Sequence, residues 1–279
     1  MKSLAWMLVL VCAGSVVACV AATRPDSTDA AAAAQQLDRI LAGDQRSAAN
    51  RARDVYRHPK ETLQFFGARP GMTIVEIYPG AGWYTEILAP LVHGSGKFYA
   101  AHYDPDSPGK EAQESLQLYR DMLAARPDLY GEVQVTALSA TKTAIAPPGS
   151  ADLVVTFRNI HNWMRGGYAP VAFKAMYDAL KPSGILGVEE HRGRADQPQD
   201  QQAKSGYVRE DFAIAMIESV GFKLVARSEI NANPKDTKDY AKGVWTLPPT
   251  YADGDNDRAK YAAIGESDRF TLKFIKPAK

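Results

Sequence analysis

Between residue 73 and residue 191 the chain alternates two hydrophobic rhythms. Short apolar runs of strand length lie at Thr73 to Tyr78, Lys97 to His102, "EVQVTAL", "ADLVVTF" and "ILGVEEH". "EVQVTAL" keeps period-two alternation, whereas "ADLVVTF" is apolar on both faces, as in a parallel strand buried on both sides. Helical stretches separate the runs. Trp83 to Val92 is one, with Pro90 limiting its last turn. Lys110 to Ala125 is a second, with Leu116, Tyr119 and Leu123 on one face. A third, Tyr168 to Leu180, has Pro170 near its first turn and stops at "KPSG". A further helix, Arg209 to Val220, ends at Gly221, a left-handed cap. "FKLVARSEI" and "RFTLKFIKP" then read as the last two strands.

Seven strands, with helices between the first five, predict an α/β fold: a doubly wound, Rossmann-like sheet with an antiparallel last strand. Ligands in such sheets sit at the carboxyl ends of the strands, where strand order reverses. Upstream, residues 23 to about 35 are Ala-rich and polar and read as a tether. A helical stretch follows, with one apolar edge at Leu37, Ile40 and Leu41 and another at Leu63, Phe65 and Phe66. The expected division is a leader over 1–22, a tether and helix over 23–60, and the sheet domain over 61–279.

Charge narrows the partners. With 33 basic and 32 acidic residues among 279, nothing favours nucleic acid. The leader "MKSLAWMLVLVCAGSVVACVAA" has an early lysine, an apolar stretch and small residues, the layout of an export signal. Its "VVAC" box would leave a lipid anchor on Cys19; cleavage after Ala21 or Ala22 would release a soluble protein. An uncleaved anchor is the third reading. Export to the periplasm, or lipid anchorage to the bacterial envelope, is the expectation. Both cysteines, Cys12 and Cys19, fall in this leader, so the body has no disulfide, thiolate metal site or cysteine nucleophile.

The chemistry-bearing stretch is "VEIYPGAGWYTEIL", Val75 to Leu88, a strand running through a glycine loop into a helix. Glycines let backbone approach a ligand, and the helix start directs free N–H groups at it. A tight turn with no ligand has the same local pattern. Three segments together, "VEIYPGAG", "ADLVVTFRNIHNW" and "ALKPSGILGVEE", resemble the class I methyltransferases over Glu61 to Lys276. "FFGARPGM" and "PGAGWYTEIL" are similar to the exported bacterial members.

The resemblance implies S-adenosylmethionine as cofactor and a small-molecule acceptor. On the cofactor side it implies Glu76, Gly80 and Gly82 of the first motif, with Arg158 and Asn159 after the fourth strand. Tyr78 stands where the first glycine is expected. Its ring, with Trp83 and Tyr84, would face the cationic sulfonium, or Trp83 and Tyr84 would only pack the helix. At the ribose position the register gives His102, with Asp104 two residues on; Asp104 takes over, or only starts the "DPDSPG" turn. "SATKTA" has no carboxylate for the adenine amino group, which leaves Ser139 or backbone. In "RNIHNW", similarity to small-molecule O-methyltransferases makes His161 the base, and a histidine's ordinary pKa of about 6.5 suits that task. A loop brace is the alternative.

His102, His161, Glu190 and His191 all fall near strand ends, and imidazole with carboxylate suits a divalent metal. None of them share helical spacing, and "EEHRGR" reads more simply as a strand end with solvated charges, so no metal is expected. The long segment Asn231 to Asp268 carries Trp245 and Tyr251, which either cover a pocket or anchor the loop. Three functions remain in play: a methyltransferase, an inactive exported binding protein on the same scaffold, and a metal-dependent hydrolase.

Overall fold

A computed structural model describes the backbone of residues 27–278 and the side chains of residues 31–278. The leader, with Cys12 and Cys19, lies outside the described residues. The Ala-rich start is a helix rather than a tether. Helix α1 spans Ser27–Leu41, because alanine is the best helix former and the segment lacks a breaker. Leu37 is fully buried, and Gln36 donates to the Leu91 carbonyl at 3.4 Å.

Three short helices follow, α2 (Ala48–Arg51), α3 (Asp54–Arg57) and α4 (Pro59–Phe66). Proline opens the last of these, and Gly67 ends it at φ 84°. The alternating part then runs β1 (Thr73–Ile77), α5 (Thr85–Val92), β2 (Lys97–Tyr103), α6 (Lys110–Ala125), α7 (Pro127–Tyr130) and β3 (Gln134–Leu138). It continues through β4 (Ala151–Phe157), α8 (Ile160–Arg165), α9 (Ala169–Ala179), β5 (Leu180–His191), α10 (Glu210–Ser219) and β6 (Lys223–Ser228). A 3-10 turn (Gly243–Thr246), α11 (Arg258–Ile264) and β7 (Arg269–Ile275) complete it.

The sheet has the order β3-β2-β1-β4-β5-β7-β6. Strands β1 to β5 pair in parallel, and β7 runs antiparallel between β5 and β6. The expected doubly wound sheet with an antiparallel last strand is therefore present. Strand order reverses between β1 and β4, which puts the switch point at the glycine loop. Two boundaries differ from expectation. The loop's turn continues through Trp83, so α5 starts at Thr85. Strand β5 begins at Leu180, ahead of Ile185, and takes up "KPSG" through a register shift against β4.

Period-two geometry sorts the core into two layers. Val75, Ile77, Val154, Leu186 and Val188 pack with Trp163, Phe173, Met176 and Ile217 on the α8–α9–α10 face. Ile74, Leu153 and Val155 pack with Leu37, Leu63, Phe66, Ile87 and Tyr119 on the other. Strand β4 supplies both layers, as its unbroken apolar run requires.

Candidate active site

The glycine loop is built from three left-handed positions, Tyr78 (φ 48°), Gly80 (φ 60°) and Gly82 (φ 93°). Gly82 is held to glycine by its φ of 93°, since the Met122 Cε that a Cβ would meet at 2.1 Å is the movable end of a flexible side chain. Gly80 is different: a Cβ would meet nothing within 4 Å, so the turn opens onto free space. Its carbonyl accepts from His102 Nε2 at 3.0 Å, while His102 Nδ1 accepts from the Tyr103 amide at 2.8 Å. That pair of bonds selects the neutral Nε2–H tautomer, and burial lowers the His102 pKa. His102 at the ribose position thus braces the loop.

Glu76 is buried on the α5–α6 face. It accepts from Thr85 Oγ1 at 2.6 Å, and that hydroxyl also lies 3.2 Å from Tyr119 Oη. Burial pushes its pKa up to about 8. The acidic residue of the first motif therefore ties α5 to β1.

Strand alternation would send Tyr78 to the Glu76 face; its left-handed φ throws the ring to the other side. There the hydroxyl donates to the Leu138 carbonyl at 2.7 Å and pairs with Tyr168 Oη at 2.9 Å. Tyr103 lies 4.4 Å from the ring, centroid to centroid, and Trp163 stands edge-on at 6.0 Å. The side chain thus reaches from the end of β1 to the end of β3. Trp83 and Tyr84 point elsewhere. Trp83 lies between the guanidiniums of Arg46 (5.0 Å) and Arg57 (4.6 Å), and Tyr84 stacks on Phe157 at 3.5 Å. They pack the helix on the face opposite Tyr78.

Asp104 starts the turn, one of the two roles expected of it. It accepts the Asp106 amide at 2.9 Å, opening the turn, and it stands 3.4 Å from Ser139 Oγ at the edge between β2 and β3. Lys142, 2.7 Å away, is the main cause holding its carboxyl below the usual range. Arg158 and Asn159 serve the strand ends. Asn159 Nδ2 donates to the Ile77 carbonyl at 2.9 Å and to Thr156 Oγ1 at 3.1 Å. Arg158 Nη1 donates to Glu189 at 3.0 Å.

Glu189 belongs to a buried charge network that the sequence reading missed. Arg269 Nη1 donates to it at 3.0 Å and lies 3.3 Å from Glu266, which also pairs with Arg53 (2.6 Å) and Arg57 (3.1 Å). Burial opposes ionisation of Glu266, but the guanidiniums of Arg57, Arg269 and Arg53 hold its pKa at about 2. Glu189 and Glu190 are both fully buried, so the reading of "EEHRGR" as solvated charges is corrected. Adjacent strand residues face opposite sides; Glu189 turns to the arginines and Glu190 to α8.

His161, buried at the start of α8, places Nδ1 at 3.0 Å from Glu190 Oε1, and its amide donates to Glu190 Oε2 at 3.3 Å. Glu190 Oε1 also accepts the His191 amide at 2.8 Å. The His191 ring lies 5.4 Å from that of His161, with Nδ1 at 2.5 Å from Ser267 Oγ. Burial, then the neighbouring His161, lower the His191 pKa well below its usual value. His161, Glu190 and His191 offer ligand atoms that all lie within 4.8 Å of one another. His102, on β2, belongs to the loop instead. The Trp245 ring lies 5.9 Å from that of His161 in a T-shaped arrangement, with Arg165 over its indole. Tyr251 lies under Arg258 at 3.9 Å as an anchor.

Beside α8 a cavity of ≈ 440 Å³ opens between Trp163, Met164, Ala169, Pro170, Phe212 and Met216. That volume suits a small molecule. No helix among the described residues is long and apolar enough to cross a membrane.

No protein-family profile and no curated protein matches the chain. Solved structures do. A SAM-dependent methyltransferase from Aquifex aeolicus is similar over 81% of this chain and 93% of its own, at 16% identity and a TM-score of 0.54. The [4+2]-cyclase SpnF covers 85% of each chain at 15% identity and a TM-score of 0.56. Phosphoethanolamine N-methyltransferase 2 of Haemonchus contortus, solved with S-adenosyl-L-methionine, covers 80% of this chain and 53% of its own at 14% identity and a TM-score of 0.52. The fold is the Rossmann-like methyltransferase fold.

Proposed function

We propose that the chain is an exported S-adenosylmethionine-dependent methyltransferase acting on a small-molecule acceptor, with His161 as its base. The observation that carries this reading is a juxtaposition at the switch point. The open Gly80 turn ends β1, and the buried His161–Glu190 pair stands at the ends of the neighbouring β4 and β5. Three features at this end of the sheet would serve the cofactor. Gly80 gives its backbone room, and Asp104 with Ser139 offers hydroxyl-binding groups at the edge where a ribose is expected. Tyr78 supplies an aromatic wall. When bound, the cofactor supplies a methyl group already activated for in-line displacement.

The protein's own part is to orient and to take a proton. With Nδ1 turned to Glu190, His161 Nε2 is the nitrogen left to accept the acceptor's proton. A lipid anchor at Cys19, or cleavage after Ala22, would hold or release the enzyme outside the cytoplasm.

Turnover and melting of His161→Ala test the base. With a base role, cofactor binding stays nearly intact and turnover falls by roughly 10²–10⁴-fold. A structural brace instead loses about 1–3 kcal/mol of stability through unpaired buried groups. Full activity in the mutant overturns the assignment.

A second reading, a non-catalytic binding protein on this scaffold, is favoured by one observation. The Tyr78 hydroxyl spans the crevice to Leu138 and Tyr168, and that clasp narrows the space an adenosine needs. SpnF, named as a cyclase, also shows that fold alone does not dictate methyl transfer.

A further inference from the structure

We propose that His161, Glu190 and His191 bind one divalent first-row transition cation. Their ligand atoms lie within 4.8 Å of one another. Imidazole with carboxylate is the donor set that suits zinc, iron, cobalt or manganese, whereas magnesium and calcium favour oxygen alone. The closest pair is already at ligand spacing. His161 Nδ1 and Glu190 Oε1 are 3.0 Å apart, the separation of two neighbouring ligands with bonds of about 2.1 Å at a right angle.

The surroundings favour a cation independently. Glu190 is fully buried, yet among the described residues its one charge partner is His161. Glu189, the next residue, has two arginines. Two backbone amides and the His161 ring hold Glu190 by hydrogen bonds, and a cation would add the charge partner that its neighbour Glu189 finds in arginines. His191, the half-buried member, gives the set its opening, and Ser267 Oγ on its Nδ1 supplies the outer hydrogen bond that ligating histidines commonly make. Trp245 and Tyr207 flank the cluster, 5.9 Å from His161 and 6.5 Å from His191.

The proposal rests on α8 and β5 and does not depend on the methyl-transfer reading. In the cation-loaded protein His161 is a ligand; the base role belongs to the cation-free protein. The experiment is a cobalt titration of the full mature chain after chelator treatment and dialysis, followed by its visible absorption bands. A single equivalent should bind, zinc should displace it, and the bound cation should raise the melting temperature. Glu190→Gln and His191→Ala should each weaken binding by more than about tenfold. His191→Ala, at the half-buried end, keeps the test valid where Glu190→Gln fails to fold. Absence of stoichiometric cobalt bands in folded wild-type protein overturns the proposal. So do bands of undiminished affinity in the folded variants.

Discussion

At the residue scale, Tyr78 and Glu76 carry the most consequence. Tyr78 occupies a left-handed position that disfavours a bulky side chain, and its two hydroxyl contacts keep the ring across the crevice. Tyr78→Phe should cost about 1–2 kcal/mol in melting experiments and tighten S-adenosylmethionine binding by releasing the clasp. Unchanged affinity would mean that the hydroxyl does not obstruct the site. Glu76 has a folded pKa raised by burial from 4.5 to about 8. Its contribution to stability is therefore full below 4.5 and lost as pH rises through about 8. Glu76→Gln keeps the Thr85 acceptor without the titration. The mutant should gain stability relative to wild type as pH rises from about 5 to about 9. A flat difference across that range would contradict a raised pKa.

At the element scale, the strands were legible because burial on one face or two leaves a local signature. Strand β4 shows it in "ADLVVTF", and the loop after β1 shows it in its glycines. The Ala-rich composition of α1 suits both a tether and a helix, and packing against α5 decides for the helix. The site divides the same way. His161 stands in a local motif and could be named, but Tyr78's partners lie 60 and 90 residues away. Glu189 and Arg269 are 80 residues apart, and no spacing rule reaches so far. That network joins α3 to the ends of β5 and β7. Glu189→Gln should destabilise the protein by about 3–5 kcal/mol, since it leaves buried arginines underpaired. A chemical-denaturation midpoint near that of wild type would show that the network contributes little.

At the scale of the whole molecule, the doubly wound sheet brings the Gly80 turn, the Asp104–Ser139 edge and the His161–Glu190 pair to one end. The fold does not choose among chemistries, so the decision falls to ligand binding. Calorimetric titration of the purified protein with S-adenosylmethionine and its demethylated product, at millimolar ligand, is the most direct measurement. Saturable heat is expected from at least one of them, abolished in Gly80→Asp because a charged side chain fills the open turn. Folded wild-type protein that gives no heat with either compound would contradict the methyltransferase reading and leave the scaffold as the binding protein.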